Sequence, residues 1–318
     1  MISYAQNFED VVLHRVFRDR KDGFYIDVGA WDPVVDSVTK FFYDEGWSGI
    51  NIEPNECFYR KLMQDRPRDI NLNFALGERE EDRPFYLFEE YGHSSFDESA
   101  RDHFARLGYE AKQSKVKVTT LAAICRDYVK RQIDFLKVDC EGWEKFVIRG
   151  ADWDRFRPTV LVIEATQPGT ATPSWPDWEP YVVENGRYEM VYFDGLNRFY
   201  LRREYAELRS CFEVPPNVFD GFKPYAAEAA EQASRELRNE FDRLSAQVLE
   251  LNENLNRAEQ EKHRLTGVIQ AKEEELSGLQ ARVLELEKEC CELKETLLKT
   301  RLWVGRLSQD LAATKRRP

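Results

Sequence analysis

Three short runs in this chain combine residue types that can hold a nucleotide-like cofactor and accept a proton. Asp27-Val28-Gly29-Ala30 sets a carboxylate beside a glycine, whose bare backbone tolerates close approach by a ligand. Glu53 follows Gly29 by 24 positions, the interval at which doubly wound nucleotide sites place the acid that grips ribose hydroxyls. Asp139-Cys140-Glu141-Gly142 adds two carboxylates, and Glu164 closes the next apolar run. Each run alone is common among proteins. Three in order, each closing an apolar stretch, point to a nucleotide-type cofactor. The same acids are hard oxygen ligands, so Asp139, Glu141 and Glu164 are also able to gather a divalent cation, although spacing alone does not bring them together.

Those runs need elements to position them. An amphipathic helix (Phe8, Val11, Val12, Val16, Phe17) leads into the apolar stretch Gly23 to Gly29. A helix near Thr39 to Asp44, a strand Gly49 to Glu53, a helix Glu56 to Gln64 and a strand Asn71 to Leu76 follow. Later, Ile133 to Val138 and Thr159 to Ile163 read as buried strands, separated by a helix from Trp143 to Arg149. Such alternation predicts an α/β fold with a parallel sheet covered by helices on both faces. In such sheets ligands bind beyond the carboxyl ends of the strands, where the strand order reverses. The phosphate-cradling Gly-x-Gly-x-x-Gly is absent after the first strand, which excludes a nicotinamide-dependent dehydrogenase.

The remainder of the chain obeys another rule. From Leu237 to Leu311, apolar residues recur at alternating steps of four and three, and only Lys262, Lys272 and Thr300 break the pattern in 22 positions. That is a coiled-coil seam. Eight of its eleven d positions are Leu, and the a positions include Val248, Ile269, Val283 and Val304. β-branched a residues with Leu at d favour a parallel dimer, and Arg282 with Glu287 and Glu289 with Lys294 would pair across it. Antiparallel and trimeric arrangements stay open.

Composition limits the partners. The 318 residues carry a formal net charge of −12, of which the first 224 hold −10, so nucleic acid is not the expected partner. No apolar run reaches the roughly 20 residues that span a bilayer. The N-terminus lacks a basic flank and an apolar signal core, so the expected location is the cytoplasm. Lys315, Arg316 and Arg317 offer one small patch for anionic headgroups at a membrane surface, though a solvated tail explains them as well. The six cysteines show neither Cys-x-x-Cys pairs nor zinc spacing and read as free thiols.

Tyr25-Ile-Asp-Val-Gly-Ala30, Ser37-x-Thr39, Gly46-Trp-x-Gly49, Ile52-Glu-Pro54 and Val118-Thr-Thr-Leu121 together resemble the FkbM family of methyltransferases. The most specific part is Asp134-Phe-Leu-Lys-Val-Asp-Cys-Glu-Gly142 leading into Gly150-Ala151, and the opening Tyr4-Ala-Gln-Asn-Phe-Glu-Asp10 belongs to the match. The resemblance covers about residues 3 to 202 and implies a Rossmann-like class I fold with a seven-stranded, mostly parallel sheet. It also implies S-adenosyl-L-methionine as cofactor and O-methylation of a saccharide or glycoconjugate hydroxyl. Carried over, Asp27, Gly29 and Ala30 would line the methionine and ribose part, with Glu53 on the ribose. Asn73 to Gly77, with Asn73 and Ala75 foremost, would lie near the adenine, and Asp139 beside the methyl group.

A hydroxyl attacks well only when its proton is drawn away. Asp139 is the first candidate base, followed by Glu141 and Glu164, with His93 in Tyr91-Gly-His-Ser-Ser95 as the alternative. One departure stands out: Trp31-Asp32-Pro33 replaces the family's usual Asn-x-Gly, so that turn must be shaped differently. It favours a second reading, a non-catalytic cofactor-binding module on a coiled-coil scaffold. Trp175, Trp178 and Tyr181 suit either a sugar-stacking entrance or a packed lid. The expected organisation is a methyltransferase domain at 1–205, a linker at 206–230 and a coiled coil at 231–314. A parallel homodimer and a glycan-assembly enzyme are the expected partners.

Overall fold

Every residue of Phe24–Val28, Phe135–Val138 and Val160–Glu164 is buried, as expected of strands covered on both faces. A computed structural model of the chain describes residues 1–87, Phe96, Asp102, Arg106 and 112–314. His93 and the basic run 315–317 lie outside the described residues. The strands are β1 (Ile2–Ser3), β2 (Phe24–Val28), β3 (Ser48–Ile52), β4 (Ile70–Leu72), β5 (Ala75–Leu76), β6 (Glu81–Leu87) and β7 (Lys112–Thr119). They continue with β8 (Phe135–Val138), β9 (Val160–Glu164), β10 (Tyr188–Phe193), β11 (Asn197–Arg202) and β12 (Lys223–Pro224). The helices are α1 (Glu9–Val16), α2 (Lys40–Asp44), α3 (Glu56–Asp65), α4 (Leu121–Tyr128), α5 (Glu144–Arg149) and α6 (Tyr225–Thr314).

The main sheet has seven strands in the order β10-β11-β9-β8-β2-β3-β4. β4, β3, β2, β8 and β9 pair in parallel, whereas β11 is antiparallel to both β9 and β10. The sheet is therefore mixed, with the reversal confined to the β10–β11 edge. The stretch Asn71 to Leu76, expected as one strand, divides: β4 ends the main sheet, and β5 joins a separate three-stranded sheet with β7 and β6. From β2 the chain works outward through β3 to β4, then returns to add β8 on the other side. The order thus reverses between β2 and β8, and Val28 opposite Val138 is their last pair.

Strand alternation produces the two layers. Tyr25, Phe135, Val162 and Phe199 face α1 and α2 through Leu13, Val16, Phe41 and Phe42. Ile26, Val28, Leu136, Val138 and Ile163 face α4 and α5 through Leu121, Ile124, Val147 and Ile148. Each fully buried side chain of this kind contributes about 1.5–3 kcal/mol.

The chain divides into two compact units, Met1–Gln232 and Ala233–Pro318. Residues 206–230, expected as a linker, all lie in the first. Phe212 is buried among the α1-side core, Arg15 pairs with Asp220 at 2.5 Å, and β12 pairs in parallel with β1. The second unit is helical from its start, as α6 is one continuous helix of 90 residues. Its seam is solvent-exposed in the single chain: Leu237 is 72% exposed, Leu251 67% and Leu279 60%.

Candidate active site

The site begins where β2 and β8 end. Gly29 has φ 75°, and a Cβ there would lie 1.8 Å from the Asp139 carbonyl oxygen. Glycine is thus required by the convergence of two strand ends, before any ligand is considered. Gly29 N and Ala30 N both donate to the Ile52 carbonyl, at 3.0 and 3.3 Å.

Glu53, buried at the end of β3, accepts from Trp31 N at 2.9 Å and from Asn55 N at 2.7 Å. Burial pushes its carboxyl up to about 7, against the pull of those two N–H groups. The Trp31 bond explains how the unusual turn closes. Trp31 itself takes the left-handed conformation (φ 47°), so Pro33 need not. Asp32 Oδ1 accepts from Val34 N and Val35 N, while Lys61 holds its Oδ2 at 2.9 Å. The turn that favoured a non-catalytic module is therefore a well-pinned one.

Asp27 is 1% exposed and sits beneath the cavity, not on its wall. Its Oδ2 accepts from Thr39 Oγ1 at 3.0 Å, and Thr39 in turn accepts from buried Arg66. Lys137 Nζ donates to the Gly29 carbonyl at 2.9 Å, with Asp139 Oδ2 at 3.4 Å and Asp27 Oδ1 at 3.5 Å. Burial alone would lower the lysine's pKa, but Asp139 and Asp27 outweigh it and hold Lys137 charged. For Asp27, burial wins over Lys137 and raises the carboxyl. Asp27 therefore acts on the site through the lysine.

Asp139, Glu144 and Glu164 form an acidic cluster whose carboxyl oxygens lie within 4.8 Å of one another. Glu144 Oε1 accepts from Cys140 N at 2.8 Å and Gly142 N at 3.2 Å. It thereby holds the turn in which Glu141 (φ 51°) and Gly142 (φ 89°) are left-handed. Burial, then the neighbouring acids, push Glu144 up to about 7 and Glu164 well above the usual carboxylate range. Burial also raises the Cys140 thiol, which leaves it a poor nucleophile.

Above these groups lies a cavity of about 680 Å³. One part of its wall is apolar: Ala75, Leu76, Phe85, Phe96 and Trp143, with the Phe96 and Trp143 rings 4.8 Å apart. The other part is polar: Gln6, Glu9, Asp139, Glu141, Glu164, Thr166 and Thr170. Of the residues expected from the sequence, Gly29, Ala30, Glu53, Ala75, Asp139 and Glu141 meet on this wall. Asn73 does not; its amide donates to the carbonyls of Glu53 and Pro54 at 2.9 and 3.1 Å. His93 lies outside the described residues. Trp178 is 1% exposed and edge-on to Tyr200, while Trp175 lies under the Arg198 guanidinium at 3.8 Å. Gly169, Thr170 and Ala171 of the same loop face the cavity in their place.

Sequence reasoning assigned no site role to Lys137, Glu144 or Glu9. Glu9 is buried, accepts from Asn197 Nδ2 at 2.6 Å and is pushed up to about 8 by burial and then Asp194. Its only signal was membership of the Tyr4 to Asp10 run.

A mixed α/β sheet with a cavity beyond its strand ends, at the point of order reversal, belongs to the class of folds that bind ligands in such a crevice. Within that class the chain belongs to the FkbM methyltransferases: the methyltransferase FkbM domain matches residues 27–190, just over half its length. No curated protein matches it.

Proposed function

We propose that the domain transfers a methyl group from S-adenosyl-L-methionine to a hydroxyl of a saccharide or glycoconjugate. The observation that carries this reading is the convergence of Glu53, the Gly29-Ala30 turn and Asp139 around one cavity. Its volume of about 680 Å³ suits a nucleoside-sized ligand. The residues present fit that cofactor. Each Glu53 oxygen accepts one backbone N–H and retains capacity for a ribose hydroxyl. Ala75, Leu76, Phe85 and Trp143 offer an apolar slot for adenine. The bound cofactor supplies an electrophilic methyl group on a sulfonium.

The chain's own contribution is position and proton transfer. Lys137 tethers Asp139 at the strand end while donating to Gly29, so the carboxylate and the cofactor turn share one anchor. Asp139 accepts the acceptor's hydroxyl proton. Gln6, Glu9, Thr166 and Thr170 form the polar wall on which a sugar's other hydroxyls would bind. Calorimetry with S-adenosylhomocysteine tests the cofactor, and labelled methyl transfer to a panel of glycans tests the acceptor. No binding at millimolar S-adenosylhomocysteine defeats the proposal.

The exposed seam of α6 supports self-association as a parallel coiled-coil homodimer. A full chain that sediments as a monomer at micromolar concentration overturns it. Among the described residues no helix is long and apolar enough to cross a membrane. The acceptor proposed is a saccharide or glycoconjugate of the cytoplasm or of a membrane surface.

A further inference from the structure

We propose that Asp139, Glu144 and Glu164 bind one divalent cation of the magnesium or manganese class on the wall of this cavity. The three side chains come from separate elements, the end of β8, the start of α5 and the end of β9, and their nearest carboxyl oxygens all lie within 4.8 Å of one another. Oxygens around one magnesium, each about 2.1 Å from it, stand about 3 to 4.2 Å apart. A contraction of at most about 2 Å, within the reach of side-chain rotation, closes the set around an ion.

The second, independent observation is Glu164 itself. The residue is 7% exposed and lines the cavity; a side-chain hydrogen bond joins its carboxyl group to Asp139, and its Oε2 has no hydrogen-bond partner. A buried carboxylate oxygen left unpaired costs stability unless something positive meets it. The described cation in ion-pair range of the cluster is Lys137, at Asp139, and Asp27 shares it. Glu144 is oriented by the Cys140 and Gly142 N–H groups, which hold its carboxylate at the cluster as supporting hydrogen bonds do for metal ligands. Three carboxylates without a soft or nitrogen donor select a hard cation, and they leave coordination positions that open to the cavity.

The ion's role rests on the methyl-transfer reading: it would place positive charge beside the oxygen that is to be methylated. Its existence does not rest on that reading. The test is titration of the purified full chain with manganese chloride, following free Mn²⁺ by electron paramagnetic resonance. S-adenosylhomocysteine binding is measured on the same samples. One saturable site per chain with Kd below ~1 mM is expected. Glu164→Gln and Asp139→Asn should each weaken it at least about tenfold, with S-adenosylhomocysteine binding retained in Glu164→Gln. Identical Mn²⁺ binding by wild type and both variants would assign the ion to surface carboxylates and overturn the proposal. So would the lack of a saturable site in a chain that still binds S-adenosylhomocysteine. A retained Mn²⁺ site without S-adenosylhomocysteine binding would instead defeat the methyl-transfer reading and leave the cation site standing. If Glu164→Gln does not fold, by circular dichroism, the half-exposed Asp139→Asn decides alone.

Discussion

The α/β domain and the long helix α6 both carry regular apolar patterns, yet they dispose of them in opposite ways. In the domain, side chains alternate across β2, β8 and β9 and meet helices from the same chain on each face, leaving Ile26, Phe135 and Leu161 at 0–1% exposure. In α6 the heptad leucines stay exposed, Leu251 at 67%. Charge follows the same division. The domain places acids and one lysine in its interior, at Asp27, Lys137 and Glu164. The helix keeps ion pairs such as Glu253–Arg257 and Arg264–Glu261 on its surface, where such pairs are worth little individually. The domain therefore buries its apolar pattern within one chain, and the helix leaves its own exposed.

The largest expected effect tests the domain's internal closure. Gly29→Ala should cost on the order of 4 kcal/mol or abolish folding, because backbone at Asp139 blocks the methyl group. Denaturant unfolding of the domain read by tryptophan fluorescence checks it, and an unchanged midpoint would show that the strand ends part easily. Next comes the proposed pairing of the helix. Leu279→Lys should weaken self-association by roughly 3 kcal/mol per chain, measured by sedimentation equilibrium, while S-adenosylhomocysteine binding persists. If it disrupts cofactor binding too, the two regions are coupled.

Glu53→Ala should weaken S-adenosylhomocysteine binding by about 1.5–3 kcal/mol, the worth of hydrogen bonds to a charged group, with the state of association unchanged. Calorimetry at low salt reads it. The smallest effect is pH-dependent. Glu9 is held near 8 in the folded chain against 4.5 when unfolded, so the folded state keeps a proton that the unfolded state loses. The stability this contributes is complete below about pH 4.5 and fades as pH rises through 8. The melting temperature of wild type relative to Glu9→Gln should accordingly fall by a few degrees between pH 5 and 9. A difference that is flat or grows with pH contradicts the assignment.

Much of the site was legible because strand ends are local features. A short apolar run followed by Asp-Val-Gly or Asp-Cys-Glu-Gly fixes where a strand stops, and the interval from Gly29 to Glu53 reflects one helical crossover. What stayed hidden depended on contacts distant in sequence. Asp27 and Lys137 are 110 positions apart and share a pair only because β2 lies beside β8. Glu9 reaches the cavity wall through Asn197, 188 positions away. Asn73, expected at the adenine, has its amide taken by the carbonyls of Glu53 and Pro54. Trp178, which suited either a sugar-stacking entrance or a packed lid, is buried in the core beside Tyr200.

By itself, the amino-acid order determined the alternation of strands and helices, the carboxylates that end the strands, and an uninterrupted heptad seam. These follow from periodicity and turn chemistry, which act over a few residues. Only the tertiary structure decided which carboxylates share a buried, proton-retaining corner and which merely brace a loop. That choice depends on strand order: placing β8 against β2 and β9 against β8 gathers Asp139, Glu144 and Glu164 into one cluster, where burial and mutual repulsion set their chemistry.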